Sequence, residues 1–140
     1  MVATATVICP TRSGTGYAAP RWIERKALRE VKMSDGSLLV VRTEVAAPSD
    51  RPLFDDWYAK EHLPQAFAAF QAKRAWRCWS KLDPSVHYAF YEFSGADTAL
   101  AIVHSAENKH LGSLFDEVWG GRVTRTRDAI EMVQALPPSD

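Results

Sequence analysis

The chain of 140 residues carries 17 basic and 17 acidic side chains, so its formal net charge is zero. Its length predicts one domain, and 46% hydrophobic with 24% charged residues indicate neither disorder nor a membrane span. The balanced charge disfavours nonspecific nucleic-acid binding, which depends on an excess of Lys and Arg. We therefore expect neither nucleic acid nor membrane as a partner.

The zero net charge conceals a division of the chain. Residues 1–32 contain six basic and two acidic side chains, a net charge of +4, which leaves −4 for residues 33–140. We interpret residues 1–32 as a basic, irregular N-terminal extension and residues 33–140 as the domain. A translation start at Met33 is an equal alternative. Cys9 and Cys78 are too few for a disulfide framework, so we expect reduced thiols in a cytoplasmic protein.

The first predicted elements are a strand and a helix. A β-branched, apolar run over residues 38–45 predicts a buried strand. A helix is expected to follow Pro48, with Asp50 as its N-cap. Pro64 predicts a kink or an end near residue 63, followed by a further turn or two through Phe70, because proline disfavours helical geometry in the residue before it.

The remaining elements complete a recognisable order. Two strands, at residues 75–82 and 87–93, flank the link Asp83-Pro84-Ser85, which predicts a hairpin. A second helical region ends at Gly120-Gly121, and a last strand occupies residues 122–136. The order βαββαβ predicts the ferredoxin-like α+β fold, in which both helical regions cover one face of an antiparallel sheet.

The sheet face without helices, here called the open face, is the informative one. Strand alternation places charged side chains among large apolar neighbours, and these are Arg42, Glu44, Glu92, Arg125 and Arg127. An apolar surface with converging charges favours a second sheet packed over a polar-lined cavity. The alternative is ion pairing across a solvated face, for example between Arg42 and Glu92.

One helical segment carries a family resemblance. The run Phe54-Asp55-Asp56-Trp57-Tyr58-Ala59-Lys60-Glu61-His62-Leu63-Pro64 resembles the aromatic–aromatic–x–x–x–His–x–Pro signature of EthD-type proteins, members of the dimeric α/β-barrel superfamily. The stretch 115–133 is similar to that of small bacterial members, and the resemblance covers residues 38–136. It implies a homodimer in which two sheets pack face to face, with a pocket inside the barrel or between sheet and helices. The superfamily it implies includes cofactor-free monooxygenases, cyclases, isomerases and decarboxylases.

The resemblance makes His62 the candidate catalytic base. Imidazole titrates near neutrality and accepts a proton from an activated carbon or phenol at physiological pH. Tyr58 lies one helical turn earlier, so its hydroxyl is the expected hydrogen-bonding partner. The residues expected to bind the substrate are Arg42, Trp76, Tyr88, Glu92 and Arg125. Of these, Arg42 and Arg125 would stabilise a carboxylate, phenolate or enolate, and Trp76 and Tyr88 would form an aromatic wall for a planar ligand.

Structural alternatives stay open for each of these residues. His62 at a helix end is also suited to capping carbonyls or pairing with a carboxylate, and Tyr58 to packing on the sheet. Trp76 and Tyr88 are equally suited to a dimer interface, and the arginines to ion pairs with Glu44 or Glu92.

The resulting hypothesis is a homodimeric, cofactor-free enzyme that transfers a proton on a small hydrophobic, aromatic or polyketide-like molecule. It predicts that His62→Ala abolishes turnover and leaves the dimer intact, and it requires Arg42, Glu92 and His62 to share a pocket. The alternative is a noncatalytic ligand-binding or stress-related dimer. Haem is disfavoured because no histidine has a clear proximal setting. No metal is expected, because His104 and His110 lack a carboxylate or thiol partner at useful spacing.

Overall fold

A computed structural model of the chain describes residues 35–137. The predicted basic extension, residues 1–32, lies outside the described residues. Residues 35–133 belong to one compact unit, which holds every element considered below. Within the described part of the chain, no helix is long and apolar enough to cross a membrane.

Four strands form one antiparallel sheet. They are β1 (Ser37–Glu44), β2 (Arg74–Trp79), β3 (Val86–Phe93) and β4 (Thr124–Glu131). Their spatial order is β2-β3-β1-β4, and each neighbouring pair is antiparallel. This arrangement confirms the ferredoxin-like α+β fold predicted from the order of the elements.

Two helical regions connect the strands. The helices are α1 (Arg51–Trp57), α2 (Leu63–Phe70), α3 (Thr98–Val103) and α4 (Ala106–Trp119). A 3₁₀ turn, Pro48–Asp50, precedes α1, and a π-helical turn, Tyr58–His62, joins α1 to α2. Ser105 caps α4 by accepting a hydrogen bond from the backbone N–H of Asn108 at 3.1 Å.

The π-helical turn explains how a helix passes Pro64. The backbone N–H of Leu63 donates to the carbonyl of Tyr58, five residues earlier, so the helix widens just before the proline. The wider turn accommodates a residue that cannot donate and whose ring crowds the preceding turn. The predicted disturbance near residue 63 and the continuation to Phe70 are both present.

Asp50 does not act as the predicted side-chain cap. It stands at the N-cap position of α1 in helical geometry, and its side chain makes no capping hydrogen bond. Its carboxylate instead accepts a hydrogen bond from Arg122 Nη2 at 2.7 Å, which ties the start of α1 to the approach to β4. The prediction was wrong because a nearby arginine offers a charged donor in place of a backbone N–H.

The core lies between the helices and one face of the sheet. Along β1 the buried residues alternate with half-buried ones, and the buried set includes Leu39, Val41 and Thr43. Phe54 of α1 is completely buried and makes ring contacts with residues of the sheet and of α4. The helix-covered face is therefore the face on which buried polar groups and cavities occur.

Candidate functional site

His62 lies in the core at the end of the π-helical turn. It is only 7% exposed, and its Nδ1 has no hydrogen-bond partner within residues 35–137. The ring stacks on Trp57 with centroids 5.0 Å apart, and it meets Tyr58 and Phe115 edge-on. Tyr58 and His62, four residues apart, are the two buried residues of this turn and lie on the same side of it.

The surroundings of His62 keep its imidazole neutral at physiological pH. Burial, followed by the positive charges of Arg125 and Arg127, lowers the pKa of His62 to about 4. A neutral imidazole offers one lone pair and one N–H, so it accepts or donates a proton according to the ligand beside it. No carboxylate among the described residues pairs with His62, and its side chain makes no capping hydrogen bond at the start of α2.

Two tyrosine hydroxyls face each other beside His62. The hydroxyls of Tyr58 and Tyr91 lie 3.5 Å apart, and both rings are almost fully buried. Burial raises the pKa of Tyr58 and raises that of Tyr91 well above its usual value, so both stay protonated donors. The Tyr58 ring thus lies against His62, its hydroxyl faces Tyr91, and Tyr91 is a residue to which the sequence analysis gave no role.

A small cavity, here called the His62 cavity, joins these groups to two arginines of β4. Its volume is about 20 Å³, and its wall includes Tyr58, His62, Tyr91, Arg125 and Arg127. A space of this size holds about one water molecule. The cavity thus brings a neutral base, two hydroxyl donors and two guanidinium groups to one point.

Arg125 is held against the helices. Its Nη2 donates to Asp116 of α4 at 3.3 Å, and its guanidinium carbon lies 4.0 Å from the centre of the Phe115 ring. Burial lowers the pKa of Arg125, and the neighbouring charge of Arg127 adds to the effect. The ion pair is with Asp116, and neither Glu44 nor Glu92 takes part in it.

The structure divides the predicted substrate-binding residues between the two faces of the sheet. Strand register places Arg125 opposite Thr43, which is completely buried, so Arg125 and Arg127 lie on the helix-covered face. Arg42 pairs in register with Tyr88, and both residues lie on the open face. The prediction that Arg125 and Arg127 occupy the open face is therefore wrong.

The remaining predicted residues form a separate aromatic surface on the open face. Trp76 stacks on Phe90 with centroids 5.4 Å apart, and Tyr88 stacks on Phe90 at 6.1 Å. Glu92 lies 3.8 Å from Arg74. The suggested partner, Arg42, is four residues further along β1 than Leu38, the residue that pairs with Glu92. Arg42, Glu92 and His62 do not share a pocket within one protomer, so that requirement of the enzyme hypothesis is not met, and its chemistry depends instead on Arg125 and Arg127.

A second polar cluster lies beside the His62 cavity and was missed by sequence reasoning. Asp55 Oδ1 accepts hydrogen bonds from Trp79 Nε1 at 2.8 Å and from Arg77 Nη1 at 3.0 Å. The same Arg77 atom lies 3.2 Å from His87 Nε2, and His87 is completely buried against the Tyr58 ring. Burial, followed by the charge of Arg77, lowers the pKa of His87 to about 3. The sequence signal for this cluster was the presence of Asp55 on α1 and of Arg77 and Trp79 on one side of β2.

In the part of the chain that the structure describes, no group of three or more His, Cys, Asp or Glu residues is placed to hold a metal ion. Cys78 is a free, exposed thiol on β2. The polar groups that line the His62 cavity include an imidazole, tyrosine hydroxyls and guanidinium groups.

Solved structures share this fold. An ethyl tert-butyl ether D (EthD) family protein from Bacillus halodurans C-125 is 15% identical, with a TM-score of 0.51 over 66% of this chain and 96% of that chain. SnoaB, a cofactor-independent oxygenase from Streptomyces nogalater, is 16% identical, with a TM-score of 0.51 over 75% and 100% of the two chains. A dimeric ferredoxin-like protein from an uncultured marine organism is 12% identical, with a TM-score of 0.50 over 76% and 100%.

No protein-family model matches the chain, and no curated protein does. At these identities the structural likeness establishes the fold alone. The chain is thus similar in fold to an EthD family protein, the group that its helical motif resembles.

Proposed function

We propose that this chain is a cofactor-independent enzyme that transfers a proton to or from a small hydrophobic, aromatic or polyketide-like molecule. The observation that carries the proposal is the meeting of the buried His62 imidazole with Arg125 and Arg127 at one cavity. A neutral imidazole accepts the proton, and the guanidinium groups stabilise the phenolate or enolate that forms. The fold shared with a cofactor-independent oxygenase is in keeping with this general kind of chemistry.

His62 is the proposed general base, and its basicity responds to charge in the cavity. Arg125 and Arg127 both contribute to its lowered pKa. An anion placed beside them offsets their charge, so His62 becomes a stronger base when such an anion forms or binds. Tyr58 is the proposed hydrogen-bond donor to the same anion, since its raised pKa keeps it protonated.

The size of the His62 cavity limits how a substrate enters. About 20 Å³ is far below the few hundred Å³ typical of ligand pockets. A substrate must therefore displace side chains, and that of Arg127 is the candidate because it is exposed and forms no ion pair within the described residues.

We place the other predicted residues at a dimer interface. Arg42, Trp76, Tyr88 and Glu92 lie on the open face, where two copies would pack sheet against sheet. The dimeric ferredoxin-like protein of the same fold supports this assembly. In this proposal the open face forms the dimer interface, and the reaction takes place on the helix-covered face.

A noncatalytic binding site is the second candidate function. A pKa of about 4 makes His62 a weak base in the absence of a ligand, and the cavity is small, which favours recognition over turnover. The two functions share the same residues and differ in whether His62 moves a proton.

The test is the ring opening of nitrobenzisoxazole, a general probe of a buried base. The base takes the proton from the C–H carbon, the C–H electron pair forms the nitrile, and the N–O bond breaks to release a coloured phenolate. We expect His62→Gln to lower kcat/KM by about 100-fold or more, the usual contribution of a general base. His110→Gln, an exposed change of the same kind, should leave it unaltered.

The pH profile of this reaction identifies the base. With a pKa of about 4, His62 is neutral throughout the range from about pH 5.5 to 8, so kcat/KM should be flat there. A histidine with an ordinary pKa near 6.5 would instead lose roughly tenfold in rate between pH 7.5 and 5.5. A rate equal in wild type and His62→Gln would contradict the enzyme proposal and leave the binding function.

A further inference from the structure

A groove of about 480 Å³ runs along α4 beside the His62 cavity. Asn108, Gly112 and Arg127 line both spaces, so the groove and the cavity share part of their walls. Unlike the cavity, the groove falls within the volume range of small-molecule sites. The groove is therefore large enough to hold the body of a ligand whose reacting end would lie near His62.

The charges that line the groove are unbalanced. Arg127 and Lys109 both line it, and neither forms an ion pair within residues 35–137. Its acidic member, Asp116, already accepts a hydrogen bond from Arg125. Two uncompensated cations beside one neutralised carboxylate favour a negatively charged ligand group.

Gly112 leaves room for the Arg127 guanidinium beside α4. It falls near the middle of the 14-residue helix α4, where glycine is unfavourable compared with alanine. A Cβ at this position would lie 3.3 Å from Arg127 Nη2 and 3.6 Å from Arg125 Nη2. The missing side chain therefore lets the Arg127 guanidinium lie close to the helix, where it belongs to the wall that the groove shares with the His62 cavity.

The unpartnered base lies on the other side of this wall. His62 is more than nine-tenths buried, lines the cavity, and has an Nδ1 without a partner in the described residues. A ligand anchored at Arg127 and extending inward would meet this imidazole and the two tyrosine hydroxyls. The groove and the cavity thus present an anion-binding end and a hydrogen-bonding end to one molecule.

We propose that the groove binds an aromatic carboxylate, whose carboxylate pairs with Arg127 and Lys109 and whose ring lies in the groove, with one edge toward the His62 cavity. The fate of the ligand at His62 rests on the proposed function, but the binding does not. Arg127 is then a specificity-determining residue that selects an acid over its neutral analogue. Gly112 is a positioning residue that lets the Arg127 guanidinium lie close to α4.

Calorimetric titration of the full chain with naphthoate and with neutral naphthamide tests this proposal. We expect naphthoate to bind at least about tenfold more tightly, as loss of a charge-assisted hydrogen bond costs that much affinity. Arg127→Gln should remove the preference. Lys60→Gln, which makes the same change in net charge at an exposed site away from the groove, should preserve it. Gly112→Leu, whose side chain would take the place of the Arg127 guanidinium beside α4, should weaken naphthoate binding with the far-UV circular dichroism retained.

The outcomes separate this inference from the proposed function. Equal binding of naphthoate and naphthamide, or an unchanged preference in Arg127→Gln, would overturn the anion site even if the His62-dependent ring opening is observed. A clear preference for naphthoate without any ring opening would support the anion site and remove the catalytic proposal. His62→Gln should retain most of the naphthoate preference, because the carboxylate pairs with Arg127.

Discussion

His62 is a buried histidine whose neutral form is favoured by its surroundings, so it links stability to pH. In an unfolded chain a histidine titrates near pH 6.5, whereas in the fold the pKa of His62 is about 4. Between these values the unfolded state binds more protons, so stability is fully present above about pH 6.5 and falls as the pH drops toward 4. His87, with a pKa of about 3, acts in the same direction.

His62→Gln should therefore make the protein less sensitive to acid. Between about pH 7.5 and 5, each buried histidine removes roughly 2 kcal/mol from the free energy of unfolding, so the variant should lose about half of what the wild type loses. Urea denaturation at the two pH values measures this difference. His110→Gln, on the exposed side of α4, should follow the wild type. An equal loss in wild type and His62→Gln would show that His62 titrates normally.

At the scale of elements, Asp55 connects the first helical region to the edge strand β2. Its carboxylate accepts hydrogen bonds from both Trp79 and Arg77. The hydrogen bond from Trp79 is the first cause of the lowered pKa of Asp55, and partial burial opposes it. Arg77 also contacts the buried His87 of β3. The hydrogen bonds of Asp55 therefore hold β2 in place beside the aromatic residues of the core.

Asp55→Ala should destabilise the fold by about 1–3 kcal/mol, because two donors lose a shared, half-exposed acceptor. The adjacent Asp56→Ala removes only an exposed ion pair with Lys60, and we expect a change of about 0.5 kcal/mol or less. Urea denaturation of the two variants gives the comparison. Equal effects of the two substitutions would mean that the connection to β2 contributes no more than a surface ion pair.

The elements also show what sequence patterns reveal and where they stop. Alternation and turn residues were sufficient for the order βαββαβ, because each strand is bounded by a glycine, a proline or a helix. They did not assign the faces of β4, an edge strand with polar residues on both sides. Val123 and Ala129 pack against the core and, by strand alternation, lie on the same face of β4 as Arg125. These two apolar residues were the evidence that Arg125 belongs to the helix-covered face. The π-helical turn and the role of Gly112 depend on tertiary packing, so the local sequence pattern does not predict them.

At the scale of the whole molecule, the open face is the surface that a second copy would cover. Trp76, Tyr88 and Phe90 form a continuous stack of rings across β2 and β3, and no helix of the described chain packs on it. Arg74 lies over the Trp76 ring at 5.0 Å and borders this stack. An apolar centre with charged residues at its border is the usual composition of a protein interface.

If the proposed dimer forms through this face, Phe90→Lys should convert it into a monomer. A lysine at the centre of two packed sheets would bury an unpaired charge in each protomer, which costs more than the lost ring contacts alone. Light scattering after size exclusion should give twice the 15.6 kDa chain mass for the wild type and a single chain mass for the variant. Leu82→Lys adds the same charge at a fully exposed position and should remain dimeric. A monomeric wild type would contradict the assembly while leaving the His62 cavity, which lies within one protomer, available for the chemistry proposed above.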